Sequence, residues 1–240
     1  MTLRKSLCKY ALTLIYKLRE NMKKLHQLFI AFVMLSFTSV SHAEMKYGVS
    51  AALTFIEASG TETEGGEKNS KDVDNLVAIP SIFAEYVYSD TVSVGLDYIP
   101  FKADVSDKTH KRSDTETSVT GTATTTSTSR TQSAQAELKD HVTLYVNYNL
   151  DSGLYLKGGV ANVTLNTEDS LGTGSKYGNV DIMGVVLGFG IDSGNWRTEV
   201  LYTDYEDISL TSSVARTGVT TNNKIDADLD TLALKVSYAF

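Results

Sequence analysis

The stretch that decides the fold is LDTLALKVSYAF, residues 229–240. Leu232, Leu234, Val236, Tyr238 and Phe240 fall on one side of an extended chain, and Thr231, Ala233, Lys235 and Ser237 on the other. A repeat of two is the pattern of a strand with unlike faces, since successive side chains of a strand point oppositely. The run is also longer than the five or six residues usual for a globular strand.

Working back from it, the same alternation returns near 45–58, 76–88, 92–100, 138–150, 154–166, 180–191 and 196–208. Near 92–100, for example, Val92, Val94, Leu96 and Tyr98 stand against Ser93, Gly95 and Asp97. In the run near 154–166 the phase slips before Val163 and Leu165, which suggests a β-bulge. Short connections at Ser89-Asp90, Asp151-Ser152-Gly153 and Asp192-Ser193-Gly194-Asn195 alternate with long polar ones near 59–75, 101–137, 167–179 and 209–227. That is the plan of four hairpins with tall loops at one end and tight turns and both termini at the other. The expected fold is all-β, an eight-stranded antiparallel up-and-down barrel.

The composition agrees with this plan. With 42% hydrophobic residues, 21% charged and only two prolines in 240 residues, wholesale disorder, collagen and Pro-rich linkers are excluded. A single cysteine, Cys8, permits no internal disulfide or multi-cysteine metal site. A pI near 5.1 argues against a general nucleic-acid binder.

Residues 1–43 are set apart from the fold. Lys23 and Lys24, the apolar run Leu28–Phe37 and the small residues Ser41 and Ala43 make 22–43 a secretory signal peptide, with cleavage expected before Glu44. The apolar run is short of the roughly 20 residues of a transmembrane helix. Met22 is the expected start, residues 1–21 being an extended basic region or an upstream misassigned start. Without 1–43 the chain loses seven of its 22 basic and one of its 29 acidic residues. The remaining domain, 44–240, has 15 and 28, a net charge of −13 and no cysteine.

Which face meets water follows from the aromatics and the charges. Tyr47, Tyr86, Tyr88, Tyr148, Trp196, Tyr238 and Phe240 all lie on the apolar face beside the tight turns or termini; Phe55, Tyr98 and Tyr202 lie toward the other end. Two aromatic levels on one face are the girdles of a transmembrane barrel. The other face carries Gly, Ser, Thr and the full charges Glu85, Asp97, Lys157, Arg197, Glu199 and Lys235. An eight-stranded barrel is just wide enough inside for side chains. Charges there must pair, so the six are expected to form an internal ion-pair network that plugs the lumen.

The closing run Leu232, Leu234, Val236, Tyr238 and terminal Phe240 resembles the C-terminal signature of bacterial outer-membrane barrels. In that family it is read by the barrel assembly machinery. With the signal peptide and four long loops, 44–240 resembles the small eight-stranded group: the OmpA membrane domain, OmpX and Ail, and the opacity proteins. The resemblance implies an outer-membrane location, lipid and lipopolysaccharide as surroundings, a monomer, and no cofactor. With nothing after Phe240, no OmpA-type cell-wall anchor is expected.

Sites of chemistry are few. His110 and His141 are the histidines of 44–240; His141 points inward near the outer end of its strand and is read as a lining residue, a catalytic role needing a nucleophile within hydrogen-bond reach. Asp226, Asp228 and Asp230 share outward parity with Asp204 and Glu206 on the neighbouring strand. Such oxygen-rich groups suit Ca²⁺ or Mg²⁺, although solvated loop acids are the plainer reading. Residues 113–133 hold nine Thr and five Ser, and flanking alternation suggests a hairpin that projects beyond the membrane with a Thr/Ser tip. The function expected is non-enzymatic: a structural envelope protein whose loops meet an extracellular ligand, in the manner of an adhesin. The alternatives are a small porin or hydrophobic-solute channel of the OmpW type and, after these, a lipid-modifying enzyme.

Overall fold

The computed structural model describes residues 44–64, 67–107, 109–120, 124–150, 152–170, 176–213 and 222–240. The leader regions 1–21 and 22–43 inferred above lie outside the described residues. So do the 121–123 tip of the Thr/Ser tract and parts of the loops near 167–179 and 209–227.

The described residues form eleven strands: β1 (Glu44–Glu64), β2 (Glu67–Val87), β3 (Val92–Ile99), β4 (Ala103–Asp104), β5 (His110–Thr120), β6 (Thr124–Asn149), β7 (Leu154–Ser170), β8 (Asn179–Ser193), β9 (Trp196–Tyr205), β10 (Ile208–Thr211) and β11 (Lys224–Ala239). Eight of them make an antiparallel ring, β1-β2-β3-β6-β7-β8-β9-β11, closed by β11 pairing back on β1 from Gly48↔Ala239 to Thr63↔Lys224. Phe240 N donates to Tyr47 O at 2.8 Å, so the ladder reaches the last residue. The short β4 and β5 pair with β6, and β10 with β11.

Parity sorts the faces. Leu53, Ile82, Leu187, Phe189, Leu234 and Phe240 are exposed, while Ser50, Ser81, Glu85, Lys157, Glu199 and Lys235 are buried. An ordinary soluble protein would reverse this; apolar-out and polar-in is the solution for a barrel in lipid. Trp196 packs edge-on to Tyr238 at 5.0 Å between ring centroids, and Tyr238 to Phe240 at 5.7 Å. These three sit at the end of the tight turns; Phe55 and Tyr202 stand at the other limit of the apolar band, next to Glu57 and Asp204.

Two details differ from the sequence expectation. The connection near 59–75 is largely ladder: β1 and β2 stay paired to Glu64↔Glu67, with Gly65-Gly66 between them. Here the inner side of the ribbon is covered largely by polar contacts, Glu62 accepting from Tyr177 OH and Asn223 Nδ2, so pairing continues without the apolar alternation that marks a strand in sequence. Likewise β5 and β6 pair from His110↔Ala134 to Thr120↔Thr124, a ribbon where the projecting hairpin was expected.

The bulge is also displaced. β7 keeps its phase, and the register shift lies on its partner β6 between Lys139 and Val142, where Asp140 has φ 55°; Asp is among the residues that tolerate that left-handed region. Val163 and Leu165 seemed out of phase because apolar was equated with outward. They face inward with Ile56, Ile182, Tyr205 and Leu229, in an apolar core that fills the outer part of the barrel.

Inward glycines sit opposite inward aromatics. Gly95 pairs with Tyr145, Gly190 with Tyr155 and Gly48 with Phe83. A Cβ at Gly95 would stand 2.2 Å from Tyr145 Cζ, and one at Gly190 2.6 Å from Tyr155 Cζ. In so narrow a lumen the glycine makes room for its neighbour's ring. Gly95→Ala should therefore displace Tyr145 and cost about 1–3 kcal/mol by overpacking, read as an earlier midpoint in urea unfolding of the reconstituted barrel; an unchanged midpoint would refute the fit.

Candidate functional site

The lumen has three levels, each legible along the inward positions of single strands. β11 runs Lys235, Ala233, Thr231, Leu229 outward, and β9 runs Glu199, Leu201, Thr203, Tyr205. Charge gives way to hydroxyl and then to apolar side chains.

At the charged level the six residues meet in three pairs. Arg197 forks onto Glu85, Nη1 to Oε2 at 2.5 Å and Nη2 to Oε1 at 2.9 Å. Lys157 pairs with Glu199, and Lys235 with Asp97. All six are buried, Glu85 to 1% and Glu199 to 2% exposure. Arg197–Glu85 and Lys235–Asp97 join strands three places apart in the ring, β9 to β2 and β11 to β3, and Lys157–Glu199 joins β7 to β9 across β8.

Further groups complete the network, and the sequence reading missed them. Glu85 Oε2 accepts from Tyr145 OH at 3.2 Å and from Asn147 Nδ2 at 2.9 Å; Tyr155 OH donates to Glu199 Oε1 at 2.6 Å. Asp192 accepts from Arg197 Nε at 2.9 Å, and Ser81 Oγ donates to Asp97 Oδ2 at 3.2 Å. Lys157 Nζ lies 4.0 Å from the Tyr145 ring centroid, a cation–π distance. Their inward parity was visible; the pairing of inward tyrosines with inward glycines was the signal for their position. The space among Phe83, Tyr145, Lys157, Arg197 and Glu199 holds no water-sized void.

Above this level lies a cavity of about 90 Å³. His141, Thr143, Thr203 and Thr231 line it together with Ile56, Leu138 and Val186. His141 Nε2 is 3.0 Å from Tyr205 OH, and Nδ1 is buried with no hydrogen-bond partner. Among the described residues no Ser or Thr hydroxyl is hydrogen-bonded to this histidine, as a nucleophile–base pair requires.

The cavity reaches the barrel wall at a seam. The β2–β3 ladder stops at Ile82↔Tyr98, although β2 stays paired with β1 for another fifteen residues, to Glu67. Two places further in the same register, Pro80 faces Pro100; these are both prolines of the chain. Neither has an N–H for a ladder. Beyond Pro100 the chain parts from β2 but stays on β6, the neighbour of β3: Ala103 pairs with Leu138, Asp104 with Glu137, and Val105 N donates to Ala136 O at 2.9 Å. Lys102 Nζ binds Glu137 Oε1 at 2.6 Å, which Asn166 also reaches at 2.7 Å. Ile79 on one lip and Ile99, Phe101 and Ala103 on the other all line the cavity, and Phe101 is 55% exposed. Asn75 Nδ2 donates to Asp104 O at 2.8 Å across the outer end of the seam. The hairpin turn around Ser89-Asp90 placed these prolines in sequence, being equidistant from them.

Of the five outward carboxylates, two come together and two turn to other partners. Asp204 faces Asp230 across the β9–β11 ladder, and Tyr202 OH donates to Asp230 at 2.9 Å. Asp226 turns to Lys224, 2.8 Å away, and Glu206 accepts from Met183 N at 3.2 Å. Among the described residues no three His, Cys, Asp or Glu side chains are placed to hold a metal.

A closed eight-stranded ring with an apolar outer face and an ion-paired lumen is the architecture of a transmembrane β-barrel. No protein-family model matches the chain, and no curated protein does. Among solved structures it is similar to the outer membrane protein OprG from Pseudomonas aeruginosa at 14% identity, covering 83% of this chain and 97% of that one with a TM-score of 0.49. It is similar to the outer membrane protein AlkL in DMPC lipid bilayers at 14% identity, with coverages of 85% and 93% and a TM-score of 0.47. Ail, the attachment invasion locus protein of Yersinia pestis, is similar at 12% identity, with coverages of 82% and 99% and a TM-score of 0.44.

Removing one partner of a buried ion pair leaves an uncompensated charge. Lys157→Ala should strand Glu199 and cost about 3 kcal/mol, measured by denaturant unfolding in detergent. In planar bilayers the unmodified barrel should show no large steady conductance; stable open channels would overturn the closed charged level.

Proposed function

We propose that the protein is a non-enzymatic outer-membrane barrel that exchanges small apolar solutes between its lumen and the bilayer through the seam between β2 and β3–β4. The single observation behind this reading is the coincidence of three features at one place: the end of a ladder, a pair of opposed prolines, and an apolar-lined cavity behind them. Ion passage along the axis is opposed by the packed charges below. Sideways passage needs no charge to move. The seam lies between Ile82↔Tyr98 and Leu76, whose side chain is 64% exposed at the level of Phe55, so it opens toward the outer part of the apolar band. In this reading the barrel works as a monomer, surrounded by lipid and lipopolysaccharide, and the assembly machinery reads Leu232, Leu234, Val236, Tyr238 and Phe240.

Replacing both prolines with alanine restores two N–H donors to facing edges, each bond contributing about 1 kcal/mol net. P80A/P100A should extend the ladder and slow uptake of an apolar fluorescent dye into intact cells several-fold, with the barrel still folded by its heat-modifiable gel mobility. Unchanged uptake with a folded barrel would reject the seam as the route.

A second reading, contact with an extracellular ligand, is favoured by the β5–β6 ribbon. Among the described residues β5 pairs only with β6, so its other edge offers backbone groups to an extended partner. Excising 113–133 should leave the barrel folded and abolish binding to cells or matrix; undiminished binding would confine this tract to the role of a hydrated spacer.

A further inference from the structure

We propose that the cavity is a binding site for a small neutral solute bearing one hydroxyl group, with His141 as the hydrogen-bond partner of that hydroxyl. The inference deepens the solute reading above and rests on the same cavity.

Three observations fix the chemistry. The first is the orphan nitrogen. His141 lines the cavity, its Nε2 is engaged by Tyr205 OH, and its Nδ1 is buried without a partner. A buried polar atom left unpaired is a standing cost that a ligand can remove. The Nδ1 role depends on the tautomer: it is an acceptor if Nε2 carries the proton and a donor if it does not. A hydroxyl both donates and accepts, so it matches either form. An ether or a ketone matches one, and a hydrocarbon neither.

The second is charge. The charged side chains on the cavity wall are Asp97, Lys157 and Lys235; Lys235 is bound to Asp97, and Lys157 to Glu199 just below. An anion or cation entering beside a neutralised pair would be buried without a counter-charge. The ligand is therefore neutral.

The third is shape and surface. Threonines lie on the charged side, and Ile56, Leu138 and Val186 with the seam residues Ile79 and Phe101 make up the apolar remainder. At about 90 Å³, the space equals roughly three water volumes. That takes the hydroxyl end of a short chain beside His141, with its further carbons lying outside the cavity along the seam at Ile79 and Phe101. A short alkanol has these properties, and 1-butanol is the probe of choice.

The test uses the 44–240 barrel labelled with ¹⁵N-histidine in micelles. Its two histidines, His110 and His141, keep the spectrum simple. Titration with 1-butanol should shift the His141 Nδ1 resonance saturably, while n-pentane, which partitions into the micelle as well, should not. Saturation-transfer signals from butanol should be lost in H141F. A linear, non-saturating response, an equal response to pentane, or no response would each overturn the proposal, and the measurement on the unmodified barrel stands even if H141F does not fold. Its failure is separable from failure of the seam. Saturable butanol binding with dye uptake unaffected by P80A/P100A would reject the route and keep the site. Dye uptake that does depend on the prolines, without a His141 response, would reject the site and keep the route.

Discussion

Inside a bilayer no water is at hand for a backbone N–H or C=O, and each one left unpaired costs several kcal/mol. The closure of β11 on β1 meets this demand for the ring as a whole. Because the requirement is so general, the place where it is relaxed is informative. Between β2 and β3 the ladder ends inside the apolar band rather than above it. Proline at facing positions lowers the cost of such an opening, since a residue without an N–H has no donor to leave unpaired. The chain stays on β6 through Ala103, Asp104 and the Lys102–Glu137 pair, and meets β2 again at Asn75, which donates to Asp104 O.

Closing eight strands fixes a second constraint, the width of the lumen. It cannot hold six charged side chains and three large aromatic rings unless other positions give way. Gly48, Gly95 and Gly190 give way opposite Phe83, Tyr145 and Tyr155. The tyrosines in turn place hydroxyls on Glu85 and Glu199, so that each carboxylate has neutral donors besides its cation. This matters because a buried ion pair alone is a poor source of stability; its desolvation can exceed its attraction unless the remaining lone pairs are also met. The glycines thus act on the electrostatics indirectly, through the rings they admit.

Much of this was legible in the sequence, and the remainder was hidden for identifiable reasons. Parity along Leu232–Phe240 and its seven counterparts gave strand number, order and sidedness. It gave the inward charges too, because parity is local. Partners were another matter: Arg197 with Glu85 and Tyr145 with Gly95 depend on register between strands far apart in the chain. The outer lumen was misjudged because lipid-facing and core-facing residues are both apolar, so Val163 and Leu165 looked like a slip of phase. The polar ribbon at 59–75 was hidden because its inner contacts, such as Tyr177 on Glu62, are polar and leave no apolar alternation, whereas the hairpin at 113–133 was legible from the alternation of its flanks. The opposed prolines are the exception, a long-range feature computable from one turn, because a tight hairpin converts distance from its centre into register.

The three levels of the lumen also explain one another. If the charged level continued outward, a cavity there would be filled with water and counter-charges, and an apolar molecule would gain nothing by entering. If the apolar level continued inward, the barrel would lose the cross-lumen ties that Arg197, Lys157 and Lys235 provide. The threonines and His141 lie between, where a polar atom can be satisfied by a small guest as well as by the protein. The seam meets the lumen at this intermediate level, with Ile79 and Phe101 at its lips. A guest arriving from the bilayer therefore meets apolar contacts first and a hydrogen-bonding group last, the order in which an amphipathic solute would present its own surface.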